Sequence, residues 1–270
     1  MVVETHKEAG MERIRQVQHS ASQSVRYDGD DETDKIVALG GLGPLAEYAD
    51  RLGLTGGFAG AVPYSGPGIP VVDRSGLLVH SLLMLNAGGD CCTDLGMLQS
   101  AEGVLGDVGS DTTLRRMIAD HAKTPGGISA VDDVMRQVRA RVWAEHGWSD
   151  PGRRVLVDID ATLTGVHSEK EDARGNYKRG FGFHPVACFA DCSGEALAVE
   201  HRPGNAGANT IADLVGIIDD GLDALPESVA RSHRPGTVPA DAANEILVRS
   251  NSAGHTVGFL WDMSDRNLRF

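Results

Sequence analysis

The sequence predicts an α/β protein: a mainly helical N-terminal domain followed by an incomplete mixed sheet whose elements run β-β-β-α-β. Three observations carry that expectation. Apolar residues fall at helical spacing from about residue 33 to 150. The period changes to strand-like alternation after Ser149-Asp150-Pro151-Gly152. Short β-branched runs then follow one another by brief connections until a single long helical stretch intervenes. A boundary at this turn gives residues 1–150 and 151–270 as the two domains.

In the first half, helical spacing covers Pro44 to Leu52, Arg74 to Ala87, Thr93 to Ser100, Asp111 to His121 and Ala130 to His146. Ser110 and Ser129 fit N-caps, because a short side-chain oxygen can accept from a free backbone N–H at a helix start. The Pro- and Gly-rich stretch Val62 to Pro70 reads as a loop. In the second half, Arg153 to Ile159, Gly180 to Ala190 and Ala196 to His201 read as strands. Ala208 to Leu225 has helical spacing through Ile211, Leu214, Val215, Ile218 and Leu222. Pro226 to Ala240 reads as a loop, Glu245 to Arg249 as a fourth strand and His255 to Met263 as a further helix. This order is the opening order of a ribonuclease-H-like fold.

Composition sets the class of chain. Of 270 residues 41% are hydrophobic and 23% charged, enough for one large or two modest cores. No apolar run reaches the roughly eighteen residues of a membrane span, and the N-terminus lacks a secretory pattern, so a cytoplasmic, membrane-free protein is expected. Cys91, Cys92, Cys188 and Cys192 have no ligand-like spacing with a His or Cys partner and read as buried small residues in a reducing compartment. The net charge of -13 argues against a uniformly basic nucleic-acid binder. Any polyanion must therefore be met by local basic patches.

The strongest chemical feature is Val155-Leu156-Val157-Asp158-Ile159-Asp160-Ala161-Thr162, two carboxylates at the end of an apolar strand. Alternation places both on one side of it, where a rigid strand end suits a divalent cation. The same residues fit a solvated strand end followed by a turn. They also match Asp-x-Asp-x-Thr of haloacid-dehalogenase-like phosphatases, with Asp158 as nucleophile and Asp160 as general acid/base. That class needs a helical crossover to a parallel neighbour, whereas short antiparallel connections are expected here. Lys170, Arg174, Lys178 and Arg179 lie near Tyr177, Phe181 and Phe183, a composition suited to phosphate contact and stacking. Glu169, Glu171 and Asp172 offset those cations, so a solvated hairpin fits equally. Arg202-Pro203-Gly204-Asn205-Ala206-Gly207 reads as a turn entering a helix, either an ordinary connection or an anion site at the helix start.

Taken in order, several motifs resemble a branch of the DDE transposases of bacterial insertion sequences. They are Asp158-Ile159-Asp160-Ala161-Thr162-Leu163, His167-Ser168-Glu169-Lys170, Tyr177-Lys178, Gly182-Phe183-His184-Pro185, Arg202-Pro203-Gly204-Asn205-Ala206 and Val248-Arg249-x-x-Ser252-Ala253-Gly254. Gly41-Leu42-Gly43-Pro44, Ala87-Gly88-Gly89-Asp90 with Asp94-Leu95, and Ser110-Asp111-x-Thr113-Leu114-x-Arg116 extend the likeness into the first half. The resemblance implies a ribonuclease-H-like catalytic domain that cuts and joins DNA using two Mg²⁺ or Mn²⁺ ions about 4 Å apart.

It carries the first catalytic carboxylate to Asp160, with Asp158 in support, and the second to Asn251, so that Asp160, Asp158 and Asn251 form the implied metal set. The third, a Glu, is expected beyond residue 270. DNA, as transposon ends and target, is the implied partner, met by Lys170, Lys178, Arg179 and Arg202. A second copy or an intact relative is the implied protein partner. Asn251 and the early end imply a truncated, inactive copy, with a non-catalytic DNA-binding remnant as the alternative.

Overall fold

The computed structural model describes residues 39–66, 70, 72–167, 170–207, 210–239, 242–250 and 256–270. The chain divides into two compact units, residues 1–127 and 128–270.

The described part of the first unit is helical, as expected. It comprises α1 (Leu42–Arg51), α2 (Leu54–Ala61), α3 (Arg74–Asn86), a 3₁₀ segment (Cys92–Ala101), α4 (Glu102–Leu105) and α5 (Asp111–Ala122). Helix α2 escapes the sequence reading because its Gly-rich stretch has weak helical propensity. It forms because Leu54, Thr55 and Phe58 are buried. The start of α3 is fixed by Asp73, whose carboxylate accepts from the Gly76 amide at 3.1 Å. Its end is a glycine stop: Gly88 has φ 95°, and the Gly89 amide reaches back to the Met84 carbonyl at 3.0 Å. Thr93 to Ser100 winds as a 3₁₀ helix rather than an α-helix. Ser110 caps α5 as predicted, accepting from the Thr113 amide at 3.2 Å.

The second unit takes in α6 (Gly127–Glu145) from residue 128 onward. Trp143 of that helix is fully buried in the core of the sheet, although its spacing alone had grouped it with the helical half. The main sheet has the order β6-β5-β1-β7, formed by β1 (Arg154–Ala161), β5 (Val186–Ala190), β6 (Glu195–Glu200) and β7 (Glu245–Ser250). β5 runs antiparallel to both β1 and β6, while β7 runs parallel to β1 after the crossover helix α7 (Ile211–Ala224). The mixed sheet and the β-β-β-α-β order are therefore present.

A second, small sheet was not foreseen. β2 (Thr164–Gly165), β4 (Phe181–Phe183) and β3 (Arg174–Gly175) pair in the order β2-β4-β3. Two-residue strands leave no periodicity to detect. The expected strand Gly180 to Ala190 thus splits at His184-Pro185, where proline offers no N–H to a ladder. Helix α8 (Glu227–Ala230) occupies part of the expected loop, and α9 (Val257–Asp265) follows β7.

One face of the main sheet makes the core. Val155, Val157 and Ile159 of β1, and Ile246 and Val248 of β7, pack with Leu214, Ile217, Ile218 and Leu222 of α7. Each such side chain contributes about 1.5–3 kcal/mol relative to exposure. Arg266 docks α9 on α7: its guanidinium meets both Asp219 oxygens at 2.8 and 2.9 Å, and Asp262 at 2.9 Å.

Candidate active site

The core demands that β1 turn its odd-numbered residues toward α7, which throws Leu156, Asp158 and Asp160 to the opposite face. Asp158 is half-buried and Asp160 is exposed at the strand end. The shared side read from alternation is thus what the sheet provides. One oxygen of Asp160 accepts from the Ala161 amide at 2.9 Å.

Asp158 is differently engaged. Its register partner on β7 is Arg249, which donates from Nε to Oδ1 at 2.5 Å and from Nη2 to Oδ2 at 2.6 Å. The same Nη2 donates to Asp191 Oδ1 at 2.6 Å, just past the end of β5. Hydrogen bonds from Arg249 to Asp158 and then Asp191 push the guanidinium pKa above its ordinary value. The nearby Cys188 thiol is pushed up to about 12, by burial first and then by the charges of Asp158 and Asp220. Both oxygens of Asp158 accept from Arg249, whose positive charge therefore competes with any cation for this carboxylate. Asn251 lies outside the described residues. Sequence reasoning missed Arg249 and Asp191 as site residues. The available signal was that Arg249, by alternation from the apolar Ile246 and Val248, falls on the carboxylate face.

The path of the chain does not follow the phosphatase alternative. After β1 the main sheet continues through the antiparallel β5 and β6, and the parallel neighbour β7 comes only after both and α7, not by a direct helical crossover from the motif strand. Asp219 sits on α7, its carboxylate held by Arg266.

Two of the quoted motifs interlock. The His184 amide donates to the Arg202 carbonyl at 3.0 Å, and Arg202 Nε returns to the His184 carbonyl at 3.1 Å. The His184 ring contacts the Ala206 carbonyl at 3.2 Å, and Phe183 bridges to Pro203. Gly204 is required there, because a Cβ would stand 2.4 Å from the carbonyl oxygens of both Arg174 and Gly182. Arg202 corrects the sequence expectation. It is 4% exposed and pairs with Asp213 Oδ2 at 2.7 Å, so it offers no surface to a DNA phosphate. Burial pushes the Asp213 carboxyl up, but hydrogen bonds from Arg202 and Thr210 outweigh it and hold the group below its ordinary range.

Lys170, Lys178 and Arg179 are all exposed. The last two sit in the β3–β4 turn, where Asn176 Oδ1 accepts from the amides of Lys178 and Gly180 at 3.0 and 2.9 Å. Tyr177 beside them is 72% exposed, with the Lys178 ammonium 5.7 Å from its ring centre. From Ala173 to Phe183 the chain carries Arg174, Lys178 and Arg179 and no acidic residue, a local reversal of the overall charge.

In the first unit Asp90, Cys91 and Asp94 cluster, but their contacts are those of a helix start. Asp94 Oδ2 accepts from the amides of Asp90 and Cys91 at 3.0 and 3.1 Å. These bonds hold its carboxyl below the ordinary range. The cysteines are free. Cys188 is buried as expected, whereas Cys91 and Cys192 are exposed. None of the described helices is long and apolar enough to cross a membrane.

No curated protein matches the chain. Among solved structures it is similar to a chain of the "Crystal structure of a pre-cleavage Mos1 transpososome", at 13% identity and a TM-score of 0.28, over 89% of this chain and 69% of that one. Residues 17–270 match the family model described as "Transposase DDE domain group 1". That span leaves only the first residues unmatched, and the protein belongs to the transposase DDE domain group 1 family.

Proposed function

We propose that this protein is a DNA-acting transposase domain of a bacterial insertion sequence, working in the cytoplasm. Its fold is built for metal-dependent cutting and joining of strands, and its own activity is abolished or strongly impaired by Asn251. The observation that carries the reading is Asp160. It sits exposed at the end of the central strand, with one oxygen held by Ala161 and the other without a protein donor among the described residues.

An oxygen ligand on a rigid strand end fits Mg²⁺ or Mn²⁺. When bound, such ions activate a water or a DNA 3′-hydroxyl and stabilise the leaving oxygen. Asp160 would hold the cation, with its carboxylate oriented by the Ala161 amide. Asn251 keeps an oxygen but lacks the charge, which weakens attraction to a divalent cation in a poorly solvated site. Lys170, Lys178 and Arg179 would meet the phosphate backbone, because phosphate affinity depends on local cations rather than net charge. A second copy of the chain is the proposed protein partner.

The test is purified protein with duplex DNA carrying the element's terminal repeats. A salt-sensitive mobility shift without strand cleavage in Mg²⁺ or Mn²⁺ is expected. Cleavage that disappears in Asp160→Asn would overturn the impairment. Absence of any shift would overturn the DNA reading.

A further inference from the structure

Arg249 reaches across the main sheet. From β7 it closes both oxygens of Asp158 on β1 and one oxygen of Asp191 after β5. Asp191 is itself tied to β1, its amide donating to the Leu156 carbonyl at 3.1 Å. Nη2 is the meeting point: one oxygen from each carboxylate lies 2.6 Å from it. Two carboxylate oxygens converging on one point is the arrangement that hard divalent cations select, at somewhat shorter distances. Four residues earlier, Arg154 on β1 pairs with Glu245 on β7 at 3.2 Å, with the signs exchanged. A two-residue slip of β7 would lose both pairs, so the side chains specify the register that delivers Arg249 to Asp158.

We infer that Arg249 is a positioning residue whose guanidinium stands in for a cation between Asp158 and Asp191, withholding both from divalent metal and leaving Asp160 as the metal carboxylate of β1. The last clause rests on the proposed role of Asp160; the withholding does not. A cation supplied by the chain's own β7 prevents a carboxylate two residues upstream from drawing the metal away from the strand end. Arg suits this better than Lys because its planar fork fills both oxygens of one carboxylate and still reaches a second.

The experiment separates the two claims by working in an Asp160→Asn background, where the proposed metal carboxylate is already gone. Mn²⁺ binding is measured by calorimetry and by the loss of the free-ion electron paramagnetic resonance signal. Adding Arg249→Gln is expected to create a site at least tenfold tighter than that of Asp160→Asn alone. Adding Asp158→Asn as a third change is expected to abolish it. Arg249→Lys, which keeps the charge but cannot fill both Asp158 oxygens, is expected to give a smaller gain with the same dependence on Asp158.

A folded Arg249 variant without a gain, or a gain that survives Asp158→Asn, overturns the inference. Loss of the cooperative thermal transition in both Arg249 variants also overturns it, since the pair would then be a fold-holding staple. Separately, Mn²⁺ binding by the unmodified protein that persists in Asp160→Asn would count against the role of Asp160 and leave the withholding claim standing.

Discussion

His184 and Arg202, eighteen positions apart, bind each other twice, once backbone to backbone and once side chain to backbone. The His184 amide meets the Arg202 carbonyl, and the Arg202 guanidinium returns to the His184 carbonyl. The pair joins the end of β4 to the turn before α7, and Asp213 completes it from the first turn of that helix. Arg202→Ala is therefore expected to cost about 3 kcal/mol by leaving buried acceptors and a carboxylate without their donor. Urea denaturation measures this. Unchanged stability together with weakened DNA binding would restore Arg202 to the DNA surface.

Lys178 and Arg179 should behave in the opposite way. Both are exposed, so the double alanine variant is expected to leave the thermal midpoint unchanged. It should lower the slope of log affinity against log salt by about two, one per lost phosphate contact. A titration of duplex DNA at several salt concentrations reads the slope directly.

Glu195 makes the sheet unit sensitive to acid. Trp143 Nε1 and Arg139 Nε donate to its two oxygens at 2.8 Å each, and Ser193 adds a third bond at 3.0 Å. Burial raises its carboxyl, but these bonds outweigh that and leave it below the ordinary 4.5. A carboxyl held low in the folded state stabilises above its unfolded pKa and loses that contribution as pH falls through the folded one. Stability is expected to drop progressively below about pH 4.5, and more shallowly in Glu195→Gln, which itself costs about 1–2 kcal/mol at neutral pH. Near-ultraviolet circular dichroism of the buried Trp143 follows the transition.

Gly204→Ala adds one methyl where two backbone carbonyl oxygens stand 2.4 Å away. Neither can yield as a side chain would, so a loss of about 2–3 kcal/mol is expected. A substitution tolerated without change in midpoint would show that the β3–β4 hairpin is not seated on that turn.

Ile217→Ala on α7 tests the sheet core. Its side chain is fully buried against the central strands, and truncation is expected to cost about 3 kcal/mol. Equilibrium unfolding should show it as a shifted midpoint with an unchanged slope.

How far the sequence spoke depended on whether a residue's role was local. β1, α7 and β7 were legible because each is long enough for its apolar period to show, and Asp158 and Asp160 inherited their common face from that period. Helix α2 was hidden by its glycines, and β2 and β3 by having two residues each. Arg202 was misread because a cation beside Pro203-Gly204-Asn205 looks like a surface turn. Its burial depends on Asp213 and His184, partners visible only after folding. Arg249 was quoted within a motif yet given no task, because its two carboxylates arrive from other strands.

The ion pairs between β1 and β7 join residues 91 positions apart, while β1 and β5 are joined by a much shorter stretch of chain. Closing the longer loop costs more chain entropy and slows the pairing that depends on it. Refolding should therefore assemble the antiparallel strands first and hold one side of β1 open until α7 and β7 arrive. During that interval an unpaired apolar strand can meet its counterpart on another molecule. The yield of refolded protein should consequently fall with concentration even where the finished fold is stable.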